Sequence, residues 1–149
     1  MRDDVARVLV VDDDDLLVDE LRRLLVADGY SVTTAMQRSE ALQALAEADW
    51  QVVVLDLKLE GPLGPDHGLE LIADVRLRAP AARIVLLTAY ATPSNIERAF
   101  AEGIYDFIQK EGPFGFLLRA KVRRAIDAER DRRLLALQSD ERERRLGEV

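Results

Sequence analysis

The sequence predicts an α/β fold, a doubly wound five-stranded parallel sheet with helices on both faces, and three observations carry that prediction. Short runs of Val, Ile and Leu recur, at 6–11, 52–55 and 83–88 among others, without the polar alternation of a half-exposed strand. Between them lie segments whose apolar residues fall three and four apart, the spacing of an amphipathic helix. Gly29, Ala79-Pro80 and Gly103 then stand where those helices must stop. Strands alternating with helices in this way need crossover connections of one hand, which gives a parallel sheet.

Taken in order, Ala6 to Val11 forms the first buried strand and runs directly into Asp12-Asp13-Asp14-Asp15. A helix carrying Leu17, Leu21, Leu24 and Leu25 follows, with Asp14 or Asp15 as its N-cap and Gly29 at its end. Tyr30 to Thr34 is a short second strand near an edge. Ser39 is expected to cap a helix bearing Ala41, Leu42, Leu45 and Ala46, after which Trp50 serves packing. The third strand, Val52-Val53-Val54-Leu55, delivers Asp56. Residues 57–68 contain two prolines and three glycines and read as a loop, with His67 a solvated loop residue.

The next helix places Leu69, Ile72, Ala73 and Leu77 on one side, and Arg83 to Thr88 is the fourth strand. Thr92-Pro93-Ser94 opens a helix with proline in its tolerated first turn. The fifth strand, Tyr105 to Gln109, ends at Lys110. From about Phe114 the pattern is helical and long, with Leu117, Leu118, Val122, Ala125 and Ile126 suited to packing on the sheet. Residues 127–149 are mostly charged and are expected to form a helical extension or linker beyond a domain of residues 1–126.

The absence of cysteine removes disulfides, thiol chemistry and Cys-ligated zinc, and a single histidine cannot supply a His-rich metal site. Any metal must therefore bind oxygen. A net charge of −7 argues against broad nucleic-acid binding, and neither a signal segment nor a membrane span is legible, so a cytoplasmic chain is expected.

Parallel strands align their carboxyl ends, so Asp12, Asp13, Asp56, Thr88 and Lys110 are expected along one edge, where open α/β sheets bind ligands. Each residue alone has an ordinary reading: Asp56 could simply end a strand, and the four acids could be a solvated capping turn. Together they make a chemical unit. Two carboxylates ~4 Å apart repel by roughly 4 kcal/mol at an effective dielectric near 20, so clustered acids in a crevice favour a cation. An all-oxygen set suits Mg²⁺. A carboxylate beside it can attack phosphorus, with Lys110 neutralising charge on the transferring group.

With Val-Val-Asp12-Asp13, Val-Leu-Asp56, Leu-Thr88-Ala89 and Phe107-Ile-Gln-Lys110, the sequence resembles a response-regulator receiver domain of two-component signalling over about residues 5 to 126. The resemblance implies a flavodoxin-like fold with strand order 2-1-3-4-5. It implies that Asp56 accepts phosphate from the phosphohistidine of a sensor histidine kinase or phosphotransfer protein. Asp13, Asp56 and the Lys58 carbonyl would bind Mg²⁺, with Asp12 holding it through water. Thr88, the Ala89 N–H and Lys110 would bind phosphoryl oxygens, and Thr88 with Phe107 would form the switch.

The chain departs from that family pattern at three places. Glu60 stands where proline is usual and the loop before Gly68 is about four residues longer; Lys110 precedes Glu111 instead of a cis-proline; and Lys58 and Tyr90 occupy the positions that flank the path of hydrolytic water. A trans bond is expected at Lys110–Glu111, since a non-proline cis bond costs ~2.5–4 kcal/mol. The reading is thus a phosphoacceptor switch rather than an enzyme that releases a product. Read-out is expected on the face formed by the fourth helix, fifth strand and last helix, with the C-terminal helix assisting a weak homodimer. Two alternatives stand beside it: a binding module of the same shape that signals without phosphorylation, and an aspartate-nucleophile phosphatase, which would want an acid where Lys58 stands.

Overall fold

The computed structural model describes residues 5–57, 67–89 and 91–147. In chain order its elements are β1 (Arg7–Val11), α1 (Asp15–Ala27), β2 (Ser31–Ala35), α2 (Arg38–Glu47), β3 (Val52–Leu55), α3 (His67–Arg78), β4 (Arg83–Thr88), α4 (Pro93–Glu102), β5 (Asp106–Gln109) and α5 (Gly115–Gly147). The strands pair in parallel in the order β2-β1-β3-β4-β5, the expected flavodoxin-like topology.

Period-two geometry divides each buried strand between two cores. Val8, Val10, Val52, Val54, Val85 and Leu87 pack with Leu21 and Leu25 of α1 and with Leu118, Val122 and Ile126 of α5. Their neighbours Leu9, Val11, Val53, Leu55, Ile84 and Leu86 meet Ala41 and Leu45 of α2, Leu71, Ile72 and Val75 of α3, and Ala99 of α4. Both faces of the sheet are therefore covered, which is why the strands need no polar alternation. Each fully buried leucine, such as Leu9 or Leu55, contributes about 1.5–3 kcal/mol.

The helix ends follow their local chemistry. Asp14 caps α1, its carboxylate accepting from Leu17 N–H at 3.2 Å, and Thr92 caps α4 by accepting from Asn95 N–H at 3.1 Å. Gly103 ends α4 at φ 102°, the left-handed region that a Cβ disfavours. Trp50 is buried and its Nε1 donates to Ala44 O at 3.1 Å, a packing role as expected. A Cβ at Gly68 would overlap the Leu57 backbone, so glycine there lets the first turn of α3 lie against the end of β3.

Several expectations require correction. Ser39 lies inside α2; Gln37 holds the N-cap position with no side-chain hydrogen bond, and Glu40 reaches back to accept from Met36 N–H at 3.4 Å. The buried stripe of α3 is Leu71, Ile72 and Val75, while Ala73 and Leu77 are exposed, because the helix is phased about one residue away from the expected face. Ala46 and Leu117 are likewise exposed. His67 begins α3 instead of ending the loop, and most of the lengthened loop, 58–66, lies outside the described residues.

Helix α5 is a single helix from Gly115 to Gly147, exposed throughout beyond Glu129. Glu129 itself is only 1% exposed, although it stands in a run of charged residues. Its Oε1 accepts from Arg133 at 2.9 Å with Arg132 at 3.8 Å, whereas Oε2 has no hydrogen-bond partner among the described residues.

Candidate functional site

Parallel register brings four strand ends to one edge of the sheet. Asp56 N–H donates to Val11 O at 2.9 Å, which sets the residue after β3 beside the residue after β1. Lys110 N–H donates to Thr88 O at 2.9 Å, which sets the end of β5 beside the end of β4. One carboxylate oxygen from each of Asp12, Asp13 and Asp56 lies within 4.8 Å of the others. The three acids thus converge as expected. Asp12 and Asp56 are buried, at 2% and 4% exposure, and Asp13 faces solvent.

The ammonium of Lys110 bridges two of these acids, with Nζ 2.6 Å from Asp12 Oδ2 and 3.2 Å from Asp56 Oδ2. The Asp12 contact is the shorter of the two, so the buried Oδ2 has the ammonium charge directly beside it. Asp12 Oδ1 accepts from Asp14 N–H at 3.0 Å, which fixes the carboxylate against the first turn of α1.

Burial, together with charge crowding, shifts two of these acids and the lysine. Burial raises the Asp12 carboxyl above its ordinary range, assisted by the charge of Asp56 and opposed by Lys110. Asp13 is raised by desolvation and then by Asp56. Burial works against the Lys110 charge, but Asp12 and Asp56 together outweigh it and raise its pKa, so the ammonium stays protonated.

The described chain thus holds one cation among three acids, short of neutrality. All-oxygen donors and the spacing of the three oxygens fit a hard divalent cation such as Mg²⁺.

Thr88 is fully buried at the end of β4, and Ala89 follows it in an exposed bend. Phe107 is half-buried on β5, in an edge-to-face contact with Phe100 of α4 at 6.2 Å between centroids. Lys58, expected both at the metal and beside the water path, and Tyr90, expected beside the water path, lie outside the described residues. The Lys110–Glu111 bond is trans, as expected.

Two neighbours of Phe107 were missed by sequence reasoning. Lys121 of α5 donates to Asp106 Oδ1 and to Phe107 O, both at 3.0 Å, and its Nζ lies 5.8 Å from the centre of the Phe107 ring. In the sequence it is one cation in a charged helix, with no signal to distinguish it. Phe100 had a signal: it is the aromatic in the last turn of α4, where a residue can reach the neighbouring strand.

Comparison with known proteins agrees with this architecture. Residues 8–120 match the family model of the response regulator receiver domain. The chain is similar to the alginate biosynthesis transcriptional regulatory protein AlgB of Pseudomonas putida, 33% identical over 73% of this chain and 23% of that protein. It is also similar to the transcriptional regulatory protein KdpE of Mycobacterium tuberculosis, 39% identical over 78% of this chain and 51% of that protein. The chain therefore spans about a quarter to a half of the length of these two relatives.

Among solved structures it resembles the response regulator protein TrrA from Thermotoga maritima, crystallised in complex with Mg²⁺ and BeF. The TM-score is 0.67 and the identity 30%, over 81% of this chain and 99% of that one. No described helix is long and apolar enough to cross a membrane. Given the match over most of its length, the chain belongs to the response regulator receiver domain family of two-component signalling.

Proposed function

We propose that this chain is a cytoplasmic phosphoacceptor switch in which Asp56 takes a phosphoryl group from the phosphohistidine of a sensor histidine kinase or phosphotransfer protein. The observation that carries the reading is the Lys110 ammonium held between Asp12 and Asp56 in a site with a third acid. A carboxylate oxygen of Asp56 forms the new O–P bond as the donor's N–P bond breaks, and the departing imidazole takes up a proton. Asp12, Asp13, Asp56 and the Lys58 carbonyl would hold Mg²⁺, with Asp12 acting through water. Bound there, the cation supplies charge neutralisation at the transferring group.

Lys110 is already 3.2 Å from Asp56 Oδ2, so a small side-chain movement carries its ammonium to a phosphoryl oxygen. The Thr88 hydroxyl and the Ala89 N–H are the remaining donors. Thr88 moving toward the phosphoryl group leaves space for Phe107 to turn, and a tightly packed interior favours discrete arrangements over continuous ones. The changed surface would be α4-β5-α5, with residues 1–126 the switch and 127–149 the helical output arm.

The direct test is intact mass after incubation with acetyl phosphate. Wild type with Mg²⁺ is expected to gain one phosphoryl mass, and both Asp56→Ala and wild type in EDTA to gain almost none. Equal labelling in EDTA or in Asp56→Ala would overturn the reading.

Lys58 and Tyr90 are proposed to slow hydrolysis, a bulky ring excluding the attacking water and an ammonium occupying the phosphoryl oxygens. Lys58→Asn/Tyr90→Glu is expected to shorten the phosphoryl lifetime by roughly tenfold or more, within the range of a lost positioning effect. A lifetime equal to or longer than that of wild type removes these residues from control of water access.

A further inference from the structure

Beyond the folded domain, α5 presents a stripe of exposed residues at alternating three- and four-residue spacing: Asp127, Arg130, Leu134, Leu137, Glu141 and Arg144. This is a coiled-coil seam in spacing, but only its two central positions are apolar. Its charges have an order of their own. Reflection about the point between Leu135 and Ala136 carries Leu134 onto Leu137, Arg130 onto Glu141 and Asp127 onto Arg144. We propose that this stripe docks the same stripe of a second copy of the chain, with the two C-terminal helices antiparallel.

The polarity follows from charge. A parallel, in-register pair would set Asp127, Arg130, Glu141 and Arg144 each against its own copy, four like-charge contacts along one seam. The antiparallel pair replaces them with Arg130 facing the partner's Glu141, Asp127 facing the partner's Arg144, and leucine facing leucine. A twofold axis then generates each contact twice, as an isologous interface requires.

Leu134 and Leu137 are 55% and 60% exposed in the single chain, so pairing removes apolar surface that the domain leaves in water. Glu141 also pairs with Arg145 of its own helix at 2.7 Å, and its exposed carboxylate has a second oxygen for the partner.

The ends of the stripe fit the same arrangement. At its N-terminal end Asp127 and Arg130 border a groove of about 550 Å³ between α5 and the α1–β2 turn, lined also by Asp28, Tyr30 and Arg123. Antiparallel pairing brings the partner's last helical turn across this groove and sends the two receiver bodies to opposite ends of the pair, where they do not collide. With four central leucines and screened ion pairs, the association is weak and falls with added salt.

The test is sedimentation of the unphosphorylated full chain at low salt, for wild type, Arg130→Glu, Glu141→Arg and the double variant, with circular dichroism to follow helix content. Wild type is expected to self-associate below about 1 mM. Each single reversal should weaken self-association about tenfold, since it turns two attractive pairs into repulsive ones. The double variant should recover it, because the pair is restored with its signs exchanged. In a parallel pair the reversals exchange one like-charge contact for another. Wild type remaining monomeric throughout, single variants that associate like wild type, or a double variant no better than the singles would each overturn the proposal.

Discussion

At Asp13 the proposed cation site trades stability for binding. It is the exposed member of the acid cluster, and its carboxyl is raised by desolvation and by Asp56. A folded-state pKa above the unfolded value means that the ionised form is disfavoured by folding. At neutral pH Asp13 therefore costs the metal-free protein stability, which returns as pH falls through the raised pKa. Asp13→Asn should raise the Tm of the metal-free protein by about 2 °C, a small gain because solvent screens an exposed charge. The same variant should lose most of the Tm increase that Mg²⁺ gives wild type. Calorimetry with Mg²⁺ and with EDTA reads both effects; a lower Tm without metal, or an undiminished Mg²⁺ response, contradicts the assignment.

Within the elements, Phe107 joins β5 to α4 through the Phe100 ring, while Lys121 of α5 holds the backbone of the same residue. Phe107→Ala should cost about 2 kcal/mol, less than a fully buried phenylalanine because the ring is half-buried. It should also leave phosphorylation intact while reducing the chemical-shift changes that phosphorylation produces in α4 and α5. Unreduced shifts in those helices would remove Phe107 from the switch.

Glu129 lies near the middle of α5, the last buried residue before the helix becomes exposed. Its buried Oε2 lacks a partner among the described residues, a costly arrangement. Glu129→Leu removes that cost and leaves Arg132 and Arg133 solvated, so it should raise stability by about 1 kcal/mol, the lower end of the cost of an unpaired buried acceptor. A loss of stability on denaturant titration would show that the carboxylate is satisfied in solution.

What the sequence revealed at this scale depended on whether type or phase carried the signal. Strands were legible because unbroken apolar runs ended in residues with chemistry, and Gly103 could be recognised as the αL stop of α4. Helix faces were less so. Leu77 and Leu117 have the right type, but the phase of α3 and α5 turns them outward. Burial of Glu129 had no signal, since a charged residue in a charged run is ordinarily solvated. Ser39 failed as a cap because the helix began earlier, with Glu40 taking the free Met36 amide.

For the molecule as a whole, the strand order and the convergence of Asp12, Asp13, Asp56, Thr88 and Lys110 could be anticipated, because parallel topology turns distant strand ends into neighbours. The ion-pair geometry of Lys110 could not, since it depends on side-chain torsions that no spacing encodes. The proposed function of this edge is to make Asp56 an acyl phosphate. The measurement that tests it most directly is borohydride trapping: the Mg²⁺- and acetyl-phosphate-treated protein is reduced, digested and sequenced by mass spectrometry. Reduction of one acyl phosphate to homoserine is expected at position 56, dependent on Mg²⁺ and absent without the phosphodonor. Trapping at Asp12 or Asp13, or at no carboxylate, would contradict it.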